Sequence, residues 1–283
     1  MSDFTNKKTW GPTPRYNRVL NYKRPISTMP KDNFYIIAGP CSIEDKYQID
    51  YIAKYVADSG ATHLRGGVFR AGTYPGDSFG LIDLKLIEEY ANAAERNGLK
   101  NIIEVLDYSD ESFNTIKDMA SCFQVGCRNM QNFTLLRKLG ALEKTIFLKR
   151  HPGATLDEWL GAAEHLLIGE KCHPVLIERG SVSHVNHCRW DLSISMIPAV
   201  KKITSIPIIC DPSHGTGRRD LVEPMALAGI AAGADGILIE THTTPELSLS
   251  DADQAIDEFS FKRLIYKANR LRTILIDCDL SLP

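Results

Sequence analysis

Eight short apolar or β-branched runs, each followed by a turn and then by a helical stretch, dominate the chain from residue 34 onward. They read "FYIIAG" (34–39), "THLRG" (62–66), "NIIEVL" (101–106), "CFQVG" (122–126), "TIFLK" (145–149), "PVLIE" (174–178), "PIICD" (207–211) and "GILIE" (236–240). Strands that are apolar throughout and alternate with helices belong to a parallel sheet buried on both faces. Eight such units predict an α/β fold, a single (β/α)8 TIM barrel, with an open doubly wound sheet as the alternative. No GxGxxG or GxxxxGK[ST] motif favours that alternative.

The segments between the runs are amphipathic. "DLKLIEEYANAAERNG" predicts a helix ended by Gly98, and in "TLDEWLGAAEHLL" Thr155 and Glu158 have capping-box spacing. The 283 residues suit one barrel, which typically takes about 250. Residues 1–33 read as an N-terminal arm and 34–283 as the barrel domain. Nothing after "LSDADQAIDEFSFKRLIYKANRL" leaves room for a regulatory domain, and the tail "TILIDCDLSLP" is expected to close against the barrel or a neighbouring subunit.

Lys plus Arg (33) nearly balance Asp plus Glu (35), which argues against a nucleic-acid partner or a polybasic membrane anchor. The first thirty residues hold no apolar run long enough for a signal peptide or a membrane span, so a cytoplasmic protein is expected. Seven scattered cysteines with no CxxC pair argue against a disulfide framework and a structural zinc knuckle.

In a barrel the chemistry gathers at the C-terminal ends of the strands. The first strand ends in "AGPCS" with Cys41, the seventh in "CDPSH" with Asp211 and His214, and the eighth in Glu240, followed by Asp251 in "LSLSDAD". Closure sets the eighth strand beside the first, so Cys41, His214, Glu240 and Asp251 can converge. Thiolate, imidazole and two carboxylates suit a divalent metal such as Mn, Fe, Co or Zn. Each residue alone also fits a bland role, as a buried thiol, a capping Asp or a solvated Glu; four together favour the metal.

The remaining strands end in cations: Arg65, Arg128, Lys149 with Arg150, and Arg179. Some of these can pair with Glu104, Glu178 or Asp211. The set still outnumbers the nearby acids, and bringing such charges together is costly unless an anion binds there. A metal facing an anion pocket suits a lyase or aldol-type enzyme that polarises a carbonyl.

The stretches "IIAGPCSIE", "LRGG", "QVGCRNMQNFTLL", "FLKR", "IERG", "DPSHGTGRRDLV" and "AAGADGILIETH…PELSLSDADQA" resemble the phosphoenolpyruvate-dependent 3-deoxy-ulosonate phosphate synthases. They are most similar to the short, type I-beta 3-deoxy-D-arabino-heptulosonate 7-phosphate (DAHP) synthases, over residues 34–260. The resemblance implies a TIM barrel, a divalent metal and a transferase that condenses phosphoenolpyruvate with an aldose phosphate, the first step of the shikimate route to aromatic amino acids. Phosphoenolpyruvate attacks the aldehyde through C3, water adds at C2, and phosphate leaves by C–O cleavage. Cys41, His214, Glu240 and Asp251 fall on the family's metal ligands. Arg65, Arg128, Lys149 and Arg179 fall on its phosphoenolpyruvate contacts, and Glu104 lies near the reacting water. Asp211 and Lys149 join Glu104 as catalytic candidates, and a homo-oligomer, dimer or tetramer, is expected.

The stretch after "LRGG" departs from this pattern. Where such synthases typically read Lys-Pro-Arg-Thr-Ser-Pro, this chain reads Arg70, Ala71, Gly72, Thr73, Tyr74 and Pro75. Arg70 keeps a positive charge but gives up a proton far less readily than Lys. Gly72 removes the cation that holds the acceptor's phosphate; Thr73 is retained. A second departure is "HCRWD" (187–191) in place of Arg-Asn-Thr-Leu-Asp. Either the chain is a DAHP synthase for erythrose 4-phosphate whose phosphate grip has moved to Arg218, Arg219 or Arg189, or it runs the same reaction on another aldose. A non-catalytic ligand-binding homologue is a third reading, against which the four metal-ligand types argue. His63, His151, His165, His173 and His184 read as surface or structural, and His242 as a partner of the metal site.

Overall fold

In the computed structural model, which describes residues 17–25, 30, 32–68, 83–106, 110–184 and 186–280, eight parallel strands close into a barrel in the order β1-β2-β3-β4-β5-β6-β7-β8. They are β1 (Tyr35–Gly39), β2 (His63–Arg65), β3 (Lys100–Val105), β4 (Cys122–Val125), β5 (Thr145–Lys149), β6 (His173–Glu178), β7 (Ile208–Cys210) and β8 (Gly236–Glu240). Closure is made by β1 against β8, in register from Tyr35 opposite Gly236 to Gly39 opposite Glu240. All eight predicted runs are strands, and the doubly wound alternative is excluded.

The helices are α1 (Asn17–Leu20), α2 (Lys46–Asp58), α3 (Leu84–Arg96), α4 (Asp110–Lys117), α5 (Phe133–Gly140), α6 (Leu156–Leu167), α7 (Met196–Lys201), α8 (Pro212–Thr216), α9 (Arg219–Ala231) and α10 (Glu258–Leu280). Their ends follow the sequence chemistry. Thr155 and Glu158 form the predicted capping box of α6. Asp83 caps α3, whose Ile87, Tyr90, Ala93 and Ala94 make the buried stripe. The C-terminal stretch continues α10 to Leu280, with Leu271 and Leu275 packed against the core and Ile274 and Ile276 exposed.

Alternation along the strands divides the core in two. Tyr35, Ile37, Ile102, Cys122, Phe147, Val175, Ile177, Ile209 and Leu238 pack together inside the barrel, while the opposite faces pack against the helices. Two residues beyond an inward position on seven strands come Arg65, Glu104, Gln124, Lys149, Arg179, Asp211 and Glu240. Cys41 stands in the same phase two residues after Gly39. The apolar barrel is thus crowned by a polar layer to which every strand contributes.

The base of the barrel is closed by residues 17–25. Val19 is buried, its backbone N–H donates to Glu164 Oε2 at 2.9 Å, and Thr204 Oγ1 donates to its carbonyl at 2.6 Å. Arg24 donates to the Tyr35 hydroxyl and lies 4.9 Å from the centre of that ring. His63, predicted to be structural, is buried between Tyr35 and Phe147 with Nδ1 2.8 Å from Thr62 Oγ1. Among the described residues no helix is long and apolar enough to cross a membrane. The six cysteines whose side chains are described are free thiols, three of them buried.

Burial, with lesser pushes from Lys100 and Arg24, pulls the His63 pKa down to about 3. Below about pH 6.5 the unfolded imidazole takes up a proton that the folded one refuses, so stability is full above that pH and falls as the pH drops toward 3. The slope from this residue is at most about 1.4 kcal/mol per pH unit. Urea unfolding is expected to show wild-type protein losing about 2 kcal/mol more than His63→Gln between pH 6.5 and 5; equal losses would show that His63 is not the buried neutral group.

Candidate active site

The polar layer at the C-terminal mouth is a chain of opposite charges. Arg65 forms an ion pair with Glu240, both buried. Glu240 Oε1 lies 3.2 Å from His214 Nε2, and His214 Nδ1 lies 2.8 Å from Asp211 Oδ2. Asp211 Oδ2 is 3.2 Å from Lys149 Nζ. Asp211 takes this place because β7 ends one residue earlier and the carboxylate caps α8, accepting the His214 backbone N–H at 3.0 Å. Burial alone would raise its pKa, but His214, Lys149 and the hydrogen bonds from His214 hold it far below the usual carboxylate range.

Three of the four candidate metal ligands converge directly. Cys41 Sγ, a Glu240 oxygen and an Asp251 oxygen all lie within 4.8 Å of one another, and Cys41 donates to Asp251 Oδ2 at 3.0 Å. His214 joins them through Glu240. Because Asp211 only accepts, its partner His214 Nδ1 is the donor of that contact, and Nε2 is the ring nitrogen that faces Glu240. A thiol, an imidazole nitrogen and two carboxylates gathered at one place need a proton or a cation between them, so the donor set fits a divalent metal. Burial and the charges of Glu240 and Asp251 push the Cys41 thiol well above its ordinary pKa. A bound cation would invert that balance and favour thiolate.

Residues not singled out from the sequence hold this geometry. Gln254 Nε2 donates to Glu240 Oε2. The hydroxyls of Ser42 and Ser250, each next to a candidate ligand, lie 2.7 Å apart in the interior. Asp251 adopts φ +51°, a left-handed conformation that turns its carboxylate back to the mouth. The signal for Gln254 was present in "SDADQA", three residues past Asp251; the serine pair depends on two loops meeting and has no local signature. His242 touches the Gln48 amide at 2.9 Å and lies 3.4 Å from Glu44, so it ties the loop after β8 to that after β1.

The cations divide into spent and unspent groups. Arg150, counted among the mouth cations, does not face the mouth: it is buried with Glu178, donating through Nε at 2.5 Å and Nη2 at 2.8 Å, and also donates to Ser181 and the Ala154 carbonyl. Strand alternation explains this, since Lys149 points inward and its neighbour must point out. Arg179 is different. It is 4% exposed, and its Nε and Nη1 find no hydrogen-bond partner among the described residues. Its guanidinium lies 5.4 Å from the centre of the Trp190 ring. Buried unpaired donors on a charged group are costly, and an anion would satisfy them.

Arg128 is exposed on the short turn Cys127–Asn129 after β4. Glu104 accepts from Gln124 at 2.6 Å, and a Cβ on Gly126 would approach Glu104 Oε1 to 2.3 Å, so only glycine leaves room for that carboxylate. Arg218 lies on the outer wall: it pairs with Asp220 at 2.6 Å and donates to the His187 carbonyl at 2.9 Å. With Arg219, paired with Glu246, it lines a cleft of about 740 Å³. Arg70 and Thr73, with the rest of the stretch 69–82, lie outside the described residues.

A closed eight-stranded parallel barrel whose mouth joins a mixed thiol, imidazole and carboxylate site to a row of cations is an aldolase-type (β/α)8 enzyme. The chain belongs to the DAHP synthetase I family, whose family model matches residues 19–275. It is 38% identical over 242 residues to the phospho-2-dehydro-3-deoxyheptonate aldolase of Thermotoga maritima, covering 86% of this chain and 71% of that protein. The crystal structure of that DAHP synthase superposes with a TM-score of 0.81, over 86% of this chain and 70% of that one. A truncated form superposes at 0.78 with 36% identity, over 86% and 87% of the two chains. The 2-dehydro-3-deoxyphosphooctonate aldolase of Dichelobacter nodosus is more distant, 26% identical over 264 residues, which is 86% of this chain and 92% of that protein. The family reaction condenses phosphoenolpyruvate with an aldose phosphate.

Because Arg150 and Glu178 share one buried pair, removing either charge strands the other. Glu178→Gln is expected to cost about 3–5 kcal/mol in urea unfolding. Arg150→Lys is expected to fall well short of wild type because it loses the two-pronged geometry. A cost below about 1 kcal/mol for Glu178→Gln would place Arg150 in a solvated or ligand-facing role instead.

Proposed function

We propose that the chain is a DAHP synthase, joining phosphoenolpyruvate to erythrose 4-phosphate at this mouth with a divalent metal held by Cys41, His214, Glu240 and Asp251. The observation that carries the reading is Arg179, buried and stacked on Trp190 with two unpartnered N–H donors, on the same rim as the converging thiol and carboxylates. A bound Mn, Fe, Co or Zn ion would supply Lewis-acid polarisation of the acceptor's carbonyl.

The protein's own residues do the rest. Arg179 and Arg128 hold the phosphate and carboxylate of phosphoenolpyruvate, with Arg65 and Lys149 adding charge from the inner layer. Lys149 is positioned to move a proton, since its Nζ lies 3.4 Å from His214 Nε2 and 3.2 Å from Asp211 Oδ2. Asp211 orients the His214 ring, and Glu104, held by Gln124, is assigned to the attacking water. Arg70 and Thr73 would complete the acceptor side. The replacement of Lys-Pro-Arg-Thr by Arg70, Ala71, Gly72 and Thr73 favours one second reading, the same chemistry on another aldose. A homo-oligomer in the cytoplasm, serving the shikimate route, is the setting this activity implies.

The test is phosphate release by Mn-loaded protein from phosphoenolpyruvate with erythrose 4-phosphate, arabinose 5-phosphate, ribose 5-phosphate and unphosphorylated aldoses. Turnover is expected with erythrose 4-phosphate; turnover only on another sugar would establish the second reading, and none on any sugar would sink both. Arg179→Ala is expected to raise the KM for phosphoenolpyruvate roughly 10- to 100-fold. Glu240→Gln is expected to lower bound metal well below one equivalent, measured by elemental analysis after dialysis.

A further inference from the structure

We propose that Arg189 is the residue that recognises the acceptor's phosphate, so that the segment 187–191 rather than Arg218 or Arg219 forms the acceptor wall. This rests on the reading of the site as a phosphoenolpyruvate-dependent synthase and names the substrate class of its second pocket: an aldose bearing a phosphate monoester.

The first argument is elimination. An anion-binding arginine needs N–H groups not already committed to a carboxylate. Arg65 and Arg150 pair with buried Glu240 and Glu178. Arg218 is fixed two-pronged on Asp220 and on the His187 carbonyl. Arg219 is held by Glu246 and by the Ala252 carbonyl at 2.8 Å. Arg189 is half-exposed, and its one ion pair is loose: Nη1 lies 3.6 Å from Asp251 Oδ1, close enough to attract but too long for a hydrogen bond, so its N–H groups stay available to an anion. Its guanidinium makes no hydrogen bond to another described side chain or carbonyl.

The second argument is placement. Asp251 belongs to the converging thiol and carboxylate site, so Arg189 stands at the edge of the point where an acceptor carbonyl would be polarised. The next residue, Trp190, lies over Arg179, the cation with unpartnered buried donors. One short segment therefore borders both halves of the site, with the indole on the phosphoenolpyruvate side and the guanidinium on the metal side.

The third argument is preorganisation. The Arg189 backbone N–H donates to the Thr216 carbonyl at 2.8 Å, and Ser181 and Asp191 exchange backbone hydrogen bonds at 2.8 and 3.0 Å. Two glycines at positive φ make the seat. A Cβ on Gly217 (φ +65°) would come within 2.6 Å of the Arg189 Cβ, and one on Gly180 (φ +96°) within 2.6 Å of the Trp190 Cβ. Arg218, by holding the His187 carbonyl, serves as a positioning residue for the same segment. A fixed backbone presenting a long cation toward open space is what recognition of a small charged ligand requires.

The experiment compares Mn-loaded wild type, Arg189→Ala and Arg189→Lys, measuring KM separately for phosphoenolpyruvate and erythrose 4-phosphate, with thermal unfolding as a check on folding. The expected result is a 10- to 100-fold rise in KM for erythrose 4-phosphate in Arg189→Ala and partial recovery in Arg189→Lys. The KM for phosphoenolpyruvate should stay within about threefold. An acceptor KM within twofold of wild type in a folded, active Arg189→Ala overturns the assignment. So does a loss of bound metal as the main defect, because Arg189 would then act on Asp251. Absence of phosphate release by wild type with any aldose would be the separate failure of the underlying reading, visible before any variant is made.

Discussion

The row of charges Arg65–Glu240–His214–Asp211–Lys149 is the interaction on which the mouth of this barrel depends. Glu240 and Asp211 are fully buried, and an isolated carboxylate there would give up its charge rather than stay ionised. Each instead has a cation or a histidine on either side. The arrangement is expensive to assemble and rigid once assembled. A chain of alternating charges in a low-dielectric wall allows few other geometries, and it fixes the His214 ring and the Glu240 carboxylate before any ligand arrives.

What makes the row possible is the phase of the strands. Inward positions lower in the barrel carry Ile37, Ile102, Phe147, Ile177, Ile209 and Leu238, which give the structure its dry centre. One inward position later the residues become ionisable or amide-bearing on every strand but β1, where Gly39 precedes Cys41, and the barrel passes from a packed core to a reactive surface within a few residues. The outward neighbours follow the other logic. Arg150 and Glu178 spend their charges on each other and on the Ser181, Gly180 and Ser193 polar groups, stabilising the turn after β6 rather than meeting substrate.

This phase also explains how far the sequence could be read. The eight runs, their closure and the converging Cys41, Glu240 and Asp251 were legible because strand ends are local in sequence and the barrel rule brings them together. Arg150 shows that adjacent strand-end residues face opposite ways: counting from Phe147 through Lys149 turns it outward, onto Glu178. Gln254 stood in plain view beside Asp251, but an amide carries no metal-ligand signal of its own. The Ser42–Ser250 contact joins loops far apart in the chain, and the approach of Trp190 to Arg179 is made within the irregular connection after β6; no periodicity encodes either meeting.

The two kinds of position suggest a division of labour. Glu240 and the inner cations Arg65, Lys149 and Arg179 sit on strand ends or one residue beyond them, where the closed barrel dictates their spacing, and Cys41, His214 and Asp251 follow in the connections after β1, β7 and β8. Trp190 and Arg189 sit on a segment held by backbone hydrogen bonds and by two glycines, a mounting that fixes the backbone while leaving the side chains replaceable. Substitution there alters what the mouth grips without disturbing the charge row beneath it, because no carboxylate of that row depends on the segment for its partner. Discrimination between acceptors can therefore change while the condensation itself is conserved, which is the physical reason for a chain to keep "IIAGPCSIE" and "DPSHGTGRRDLV" while departing at "HCRWD".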